Sequence, residues 1–311
     1  MGAGHHDHGH GHGHHGHPHH APGSFGRAFA IGVTLNLSFV VVEAAFGILG
    51  NSLALLADAG HNLSDVIALL VAWGAAALGR VLPSRRFTYG LRGSSILAAL
   101  GNGVVLMLAA GAIAFAALQR FGSPEPVASD LMMIVAGVGI LVNGGTAMLF
   151  LSGSKGDLNV RAAFLHMMAD AAVSAGVVAA GLAMKATGWL WIDPVTSLVI
   201  VAVIVWSSWD LLKEAIALSL GAVPAGIDAA AVERHLAGLA GVEAVHDLHI
   251  WPMSTTETAM TAHLVMPGGN GADSFLHDVA EAMRRQFGIG HTTLQIERDP
   301  AACALEPPDV V

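Results

Sequence analysis

The chain has 311 residues, of which 54% are hydrophobic and only 12% charged. A soluble domain carries roughly a quarter charged residues, so most of this chain has no water-facing surface, and several runs of more than 18 residues with almost no charge point to a membrane protein in preference to a soluble one with an unusually apolar core. The formal net charge of −9, with 18 histidines counted neutral, gives no reason to expect nucleic acid as a partner.

In chain order, residues 1–24 are a low-complexity tail of His, Gly, Asp and Pro (His5-His6-Asp7-His8-Gly9-His10). It has no apolar face to bury and reads as disordered, a loose string of imidazoles for zinc, copper or nickel. Arg27 then precedes an apolar run too long for a signal sequence, so no cleaved leader is expected. Six apolar segments follow at 27–49, 52–79, 94–119, 127–152, 161–186 and 190–209. Each supplies the roughly 20 helical residues that cross a bilayer core. Asp193-Pro194 reads as the N-cap and first residue of the sixth.

Lys and Arg in short loops set orientation. Arg80, Arg85, Arg86 and Arg92 lie between the second and third segments, and Lys155 and Arg161 between the fourth and fifth. The opposite side carries only Arg120 and Lys185. Both termini are therefore expected in the cytoplasm.

From about 210 the composition turns soluble. Residues 228–240 read as a helix capped by Asp228, 245–251 and 258–266 alternate like strands, 274–287 is a second helix, and 292–297 a third strand. The expected layout is thus a tail at 1–24, a six-helix membrane domain at 25–210, a cytoplasmic α+β domain at 211–300 and a loose tail at 301–311. There is no convincing internal repeat. The one cysteine, Cys303, excludes an intramolecular disulfide and a Cys-rich zinc ribbon, and reads as an incidental tail thiol.

Ionisable groups at membrane depth are costly and mark a pathway or site. His61 and Asp65 in the second segment, and His166 and Asp170 in the fifth, are each four residues apart, on one helix face. Two such helices packed together offer two imidazole nitrogens and two carboxylate oxygens, a donor set that suits tetrahedral zinc, whereas oxygen-only donors favour magnesium, calcium or manganese. Asp58 reads as an N-terminal helix charge in preference to an entry-path residue. Glu43 serves equally as pathway residue or polar glue, and Asn36, Asn62 and Asn143 read as structural.

In the soluble part, alternation puts His249 and Trp251 on one strand face and His246 with Leu248 and Ile250 on the other. His263 is on the second strand, and His291, Gln295 and Glu297 share a face of the third. Several His and a Glu in one small sheet point to a regulatory metal site, against a plain solvated or dimer-facing surface. His235 and His277 read as ordinary surface residues.

The run Asn51 to Asp65 (NSLALLADAGHNLSD), Arg86-Phe-Thr-Tyr-Gly90, His166-Met-Met-Ala-Asp170, His246-Asp-Leu-His-Ile-Trp251 and Thr261-Ala-His263-Leu-Val, in that order, resembles the cation diffusion facilitator family, its cobalt–zinc–cadmium efflux and zinc transporter branch. The resemblance spans about 25 to 299. It implies a homodimer of six-helix protomers with a ferredoxin-like cytoplasmic domain in a bacterial inner membrane, exchanging metal for protons by alternating access. It also implies no enzyme activity and no cofactor beyond zinc as cargo and as a regulatory ligand. Its transport site maps onto His61, Asp65, His166 and Asp170, and its variable cytoplasmic sites onto His246, His263 and Glu297, with His291 a further candidate. Many eukaryotic members carry a His-rich stretch between helices four and five; here that loop is short and the His-rich stretch N-terminal, as in a bacterial-type exporter. The rivals are an intramembrane metallohydrolase, which lacks a His-Glu-x-x-His motif, and a membrane-anchored metal sensor.

Overall fold

The computed structural model describes residues 27–78, 81–151, 158–269, 272–299 and 303. The His-rich stretch, Arg80, Lys155 and the tail beyond 299 apart from Cys303 lie outside the described residues. Six long helices come first: α1 (Arg27–Leu49), α2 (Leu53–Leu78), α3 (Ser94–Gly122), α4 (Ser129–Phe150), α5 (Leu158–Thr187) and α6 (Ile192–Ser219). Among the described residues four stretches are long and apolar enough to cross a membrane, namely Ser94–Gly122, Ser129–Met148, Phe164–Thr187 and Ile192–Ser219, and Thr34–Leu49 of α1 is a shorter apolar stretch. α6 runs ten residues past the expected end at 209. Leu211, Leu212, Lys213, Glu214 and Ala215 are good helix formers, and Lys213 pairs with Asp210 at 2.8 Å on the exposed side.

The bundle is apolar on both its inside and its outside. Leu55, Leu106, Met132, Val177, Ile200 and Ile204 pack between α2, α3, α4, α5 and α6. Leu97, Leu108, Phe115, Leu141 and Trp206 point outward and are 63–82% exposed. An apolar exterior on helices that satisfy their own backbone is what lipid demands. Small residues set helix spacing. A Cβ on Gly139 of α4 would stand 2.9 Å from both the Phe39 ring of α1 and Ser174 Oγ of α5.

Asp193 does not cap its own helix. It sits inside the first turn of α6, whose N-cap position is Trp191. Its fully buried carboxylate instead accepts from Ser52 Oγ (2.8 Å) and the N–H groups of Leu53 (3.0 Å) and Ala54 (3.3 Å), the otherwise unpaired donors at the start of α2. Ser52 Oγ in turn accepts from Leu55 N–H at 3.3 Å. From α3, Arg120 donates to Asp193 at 3.0 Å and to the backbone oxygen of Asn51 at 2.7 Å. Asn51 takes a left-handed φ of 52° there, which Asn tolerates better than most residues.

The remainder is a small two-layer α+β domain: α7 (Ala229–Ala237), β1 (Ala244–Pro252), β2 (Thr258–Val265), α8 (Asp273–Phe287) and β3 (Ile289–Glu297). Asp228 caps α7 by accepting from Ala231 N–H at 3.1 Å. The sheet order is β1-β2-β3, with β1 antiparallel and β3 parallel to β2. This is the ferredoxin-like βαββαβ pattern without a first strand among the described residues. Val232 and Leu236 of α7 and Val279 and Met283 of α8 bury one sheet face through Ile250, Met260, Ala262 and Leu264. The β1–β2 hairpin touches the start of α3: Arg92 pairs with Glu257 at 2.9 Å, and Thr255 N–H donates to Ser95 Oγ at 3.1 Å.

Two outcomes follow from this packing. Asp193→Ala strands a mostly buried guanidinium and uncaps α2, at a cost of about 3–5 kcal/mol; thermal unfolding of the purified protein in detergent should fall well below wild type. Gly139→Ala forces Phe39 and Ser174 aside and should cost about 1–3 kcal/mol in the same assay. Wild-type melting in either variant contradicts the packing described.

Candidate metal centres

α2 and α5 each present a His and an Asp one turn apart, and the four side chains meet. His61 Nε2 lies 3.7 Å from Asp65 Oδ2 and 3.5 Å from Asp170 Oδ1. His166 Nε2 lies 3.2 Å from Asp65 Oδ2 and 3.7 Å from Asp170 Oδ2. The contacts close a ring in which nitrogen and oxygen donors alternate, with the imidazole centroids 5.9 Å apart. Donors bound tetrahedrally at about 2.0–2.1 Å stand about 3.3 Å from one another. The neighbouring N–O distances are near that size; His61, Asp65 and Asp170 bring one donor each within 4.8 Å of one another, and His166 reaches the set through Asp65 and Asp170.

Burial across the ring is graded. Side-chain exposure is 43% for His166 and 32% for Asp65, against 17% for His61 and 3% for Asp170. The open pair lies toward the C-terminal end of α2 and the N-terminal end of α5. Beyond the closed pair the bundle is sealed by buried polar residues. Asp58, one turn before His61, is fully buried and accepts from Ser174 Oγ of α5 at 3.2 Å. It is therefore no N-terminal helix charge: α2 starts five residues earlier, and the helix end is held by Asp193. Glu43 is fully buried too, and accepts from Asn62 Nδ2 at 3.2 Å. Asn102 of α3 donates to Ser64 Oγ at 3.1 Å. Ser174 and Asn102 were not singled out from the sequence, because one polar residue in an apolar helix carries no periodic signal.

The second cluster lies on the sheet face away from α7 and α8. Strict alternation along β1 would put His246 on the core face with Ile250. A bulge between His246 and His249, with Asp247 at a φ of 49°, inserts a step and turns His246 to the other face, opposite His263. The two imidazole centroids are 5.2 Å apart. Glu297 reaches both, with Oε2 3.2 Å from His246 Nε2 and Oε1 3.1 Å from His263 Nδ1. Burial pushes the Glu297 carboxyl up, but hydrogen bonds with Cys303 and Gln295 and the two imidazoles outweigh it and hold it below the usual carboxylate range. Asp247 bridges His263 Nε2 at 3.3 Å and His249 Nε2 at 2.8 Å. His291 is not in this cluster; its ring meets Tyr89 edge-on at 5.7 Å. His235 is half-buried against Phe287, and His277 is exposed.

Two family models match the chain. One described as the cation efflux transmembrane domain covers residues 29–218, and one described as the cation efflux protein, cytoplasmic domain, covers 224–299. The chain is 32% identical to a Bacillus subtilis protein named cadmium, cobalt and zinc/H(+)-K(+) antiporter, over 90% of this chain and 91% of that one. It is 33% identical to the metal cation efflux system protein CzcD of Cupriavidus metallidurans, over 96% and 92% of the two chains. With the zinc transporter ZitB of Escherichia coli the identity is 36%, over 88% and 87%. A bundle with an apolar exterior, a donor ring inside it, and family matches across both domains agree: the chain is a multi-pass membrane protein of the cation efflux (cation diffusion facilitator) family, whose members are transporters and not enzymes.

Proposed function

We propose that this chain exports zinc, with cadmium and cobalt as alternative cargo, from the cytoplasm in exchange for protons, working as a homodimer. The observation that carries the reading is the alternating ring of His61, Asp65, His166 and Asp170, open at one end of the bundle and sealed at the other. Two nitrogen and two oxygen donors suit zinc and its neighbours better than magnesium or calcium. The relatives named for cadmium, cobalt and zinc, and for zinc, support the same cargo.

The open end is the cytoplasmic one. Exposed Arg85 and Arg86 lie in the α2–α3 connection on that side. At the opposite end Arg120 is committed to Asp193 and Lys185 to Asp130, while exposed Trp189 and Trp191 stack as interfacial anchors. Both termini are then cytoplasmic. The domains divide near 210, with the family's cytoplasmic portion following.

In this reading a cytosolic cation reaches His166 and Asp65, then His61 and Asp170. The imidazoles give up protons as they bind it. Rocking of the helices opens the sealed end, where protons compete for the donors and the cation leaves. Histidine suits this exchange because its ordinary pKa, about 6.5, lies close to working pH. His246, His263 and Glu297 hold a second, resident cation in the cytoplasmic domain, with a regulatory role.

Zinc flux into proteoliposomes under an imposed pH gradient tests the transport site. Asp65→Ala and His166→Ala should each cut gradient-driven flux at least about tenfold. Undiminished flux in either variant would discard the site. Topology is read from the single cysteine: with metal chelated, a membrane-impermeant maleimide should label Cys303 in inside-out vesicles and leave it unlabelled in right-side-out ones. The reverse pattern inverts the orientation.

A further inference from the structure

The sequence holds one thiol, and the fold brings it to the cytoplasmic cluster. Cys303 Sγ lies 3.5 Å from His263 Nδ1. His246, His263, Glu297 and Cys303 each aim one donor atom into a space where all four lie within 4.8 Å of one another. We propose that Cys303 is the fourth ligand of the resident cation, making the cytoplasmic centre a Cys-His-His-Glu site for zinc or cadmium. This rests on the metal-binding reading of the His246–His263–Glu297 cluster and adds to it the donor that sets its chemistry.

Three observations carry the assignment. The first is size. A tetrahedral ion with a sulfur ligand at about 2.3 Å and a nitrogen at about 2.0–2.1 Å holds those two atoms about 3.5 Å apart, and N and O ligands about 3.3 Å apart. The cluster shows 3.5 Å for Cys303 Sγ to His263 Nδ1, 3.1 Å for His263 Nδ1 to Glu297 Oε1 and 3.2 Å for His246 Nε2 to Glu297 Oε2, one carboxylate oxygen facing each imidazole, and one donor from each residue lies within 4.8 Å of the others.

The second is unspent hydrogen-bonding capacity. His246 Nε2 and Glu297 Oε2 are buried and make no hydrogen bond, although they face each other at 3.2 Å. Their side chains are only 10% and 9% exposed. A buried pair held at contact distance without a hydrogen bond leaves capacity unused, and an ion between the two atoms would take up both.

The third is the tautomer of His263. A cation on Nδ1 requires the Nε2–H tautomer, and the Asp247 carboxylate stands 3.3 Å from Nε2 to accept that hydrogen, while Nδ1 faces Glu297 and Cys303. A carboxylate behind an imidazole is the usual way a metal-bound histidine is oriented. The β-bulge serves this arrangement directly, since it puts His246 and Asp247 beside His263.

Binding replaces the thiol S–H bond with a sulfur–metal bond and releases the proton to solvent. A thiolate among the donors favours zinc and cadmium over oxygen-seeking ions such as magnesium and manganese.

Cobalt reports the ligand directly. The full-length protein, reduced and in detergent, is titrated with Co2+ in a background of Asp65→Ala to silence the membrane site. Only a cysteine ligand gives a near-ultraviolet sulfur-to-cobalt charge-transfer band, and Cys303 is the sole cysteine, so cobalt on the N-terminal histidines is silent there. The expected result is a band lost in both Cys303→Ser and His263→Ala, with Zn2+ slowing iodoacetamide alkylation of Cys303 at least about tenfold. Cobalt binding that depends on His263 and Glu297 but shows no charge-transfer band overturns the assignment of Cys303 and leaves the metal site standing. A band that survives His263→Ala also overturns it, because the thiol would then bind elsewhere. Visible d–d absorbance unaffected by His263→Ala and Glu297→Gln overturns the metal site itself.

Discussion

A carboxylate removed from water must be matched by donors or neutralised. Asp193 meets that condition with four donors drawn from two other helices: Ser52 and two backbone N–H groups of α2, and the guanidinium of Arg120 on α3. One side chain thereby fixes the starts of α2 and α6 and the end of α3. The position of α2 matters most, because His61 and Asp65 are two to three turns along it. A helix end held by a buried ion pair transmits that constraint rigidly over so short a distance, and the donor ring with α5 inherits its geometry.

The two clusters proposed to hold a cation solve the same problem by different means. In the membrane, ligands come from helices that carry their own backbone hydrogen bonds, so i,i+4 spacing alone sets each half of the ring. In the sheet, neighbouring ligands come from different strands, and their meeting depends on register and on one bulge. In the membrane ring two adjacent members, His166 and Asp65, stay accessible. The cytoplasmic ligands are more uniformly enclosed, with His246, His263 and Glu297 only 9–11% exposed. The first arrangement suits a cation that must leave, the second one that stays.

How much could be read in advance follows from this difference. The helices, their order and the His61–Asp65 and His166–Asp170 pairs are legible because helical spacing is local and an ionisable residue in an apolar run stands out. Asp193 was misread as a local cap because its true partners are about 140 residues away in sequence. The face of His246 was misread because alternation assumes an unbroken strand, and nothing in His-Asp-Leu-His announces a left-handed Asp247. His291 shares a strand face with Glu297, but it sits six residues along the strand and is drawn to Tyr89 instead. Cys303 looked incidental because a tail's return path is not encoded in any periodicity; six residues beyond Glu297 can span up to about 20 Å, enough to fold back on the sheet.

The gradient of burial around the membrane ring bears on how a cation sheds its water. A divalent ion surrenders its hydration shell at great cost if all of it must go at once. On the proposed transport reading, an ion arriving at the open end meets His166 and Asp65 while still partly in contact with solvent, and can exchange water for these ligands singly. Only afterwards does it reach His61 and the enclosed Asp170. On that reading, the slope from 43% to 3% exposure across one ring of four side chains divides a single tall dehydration barrier into several low steps.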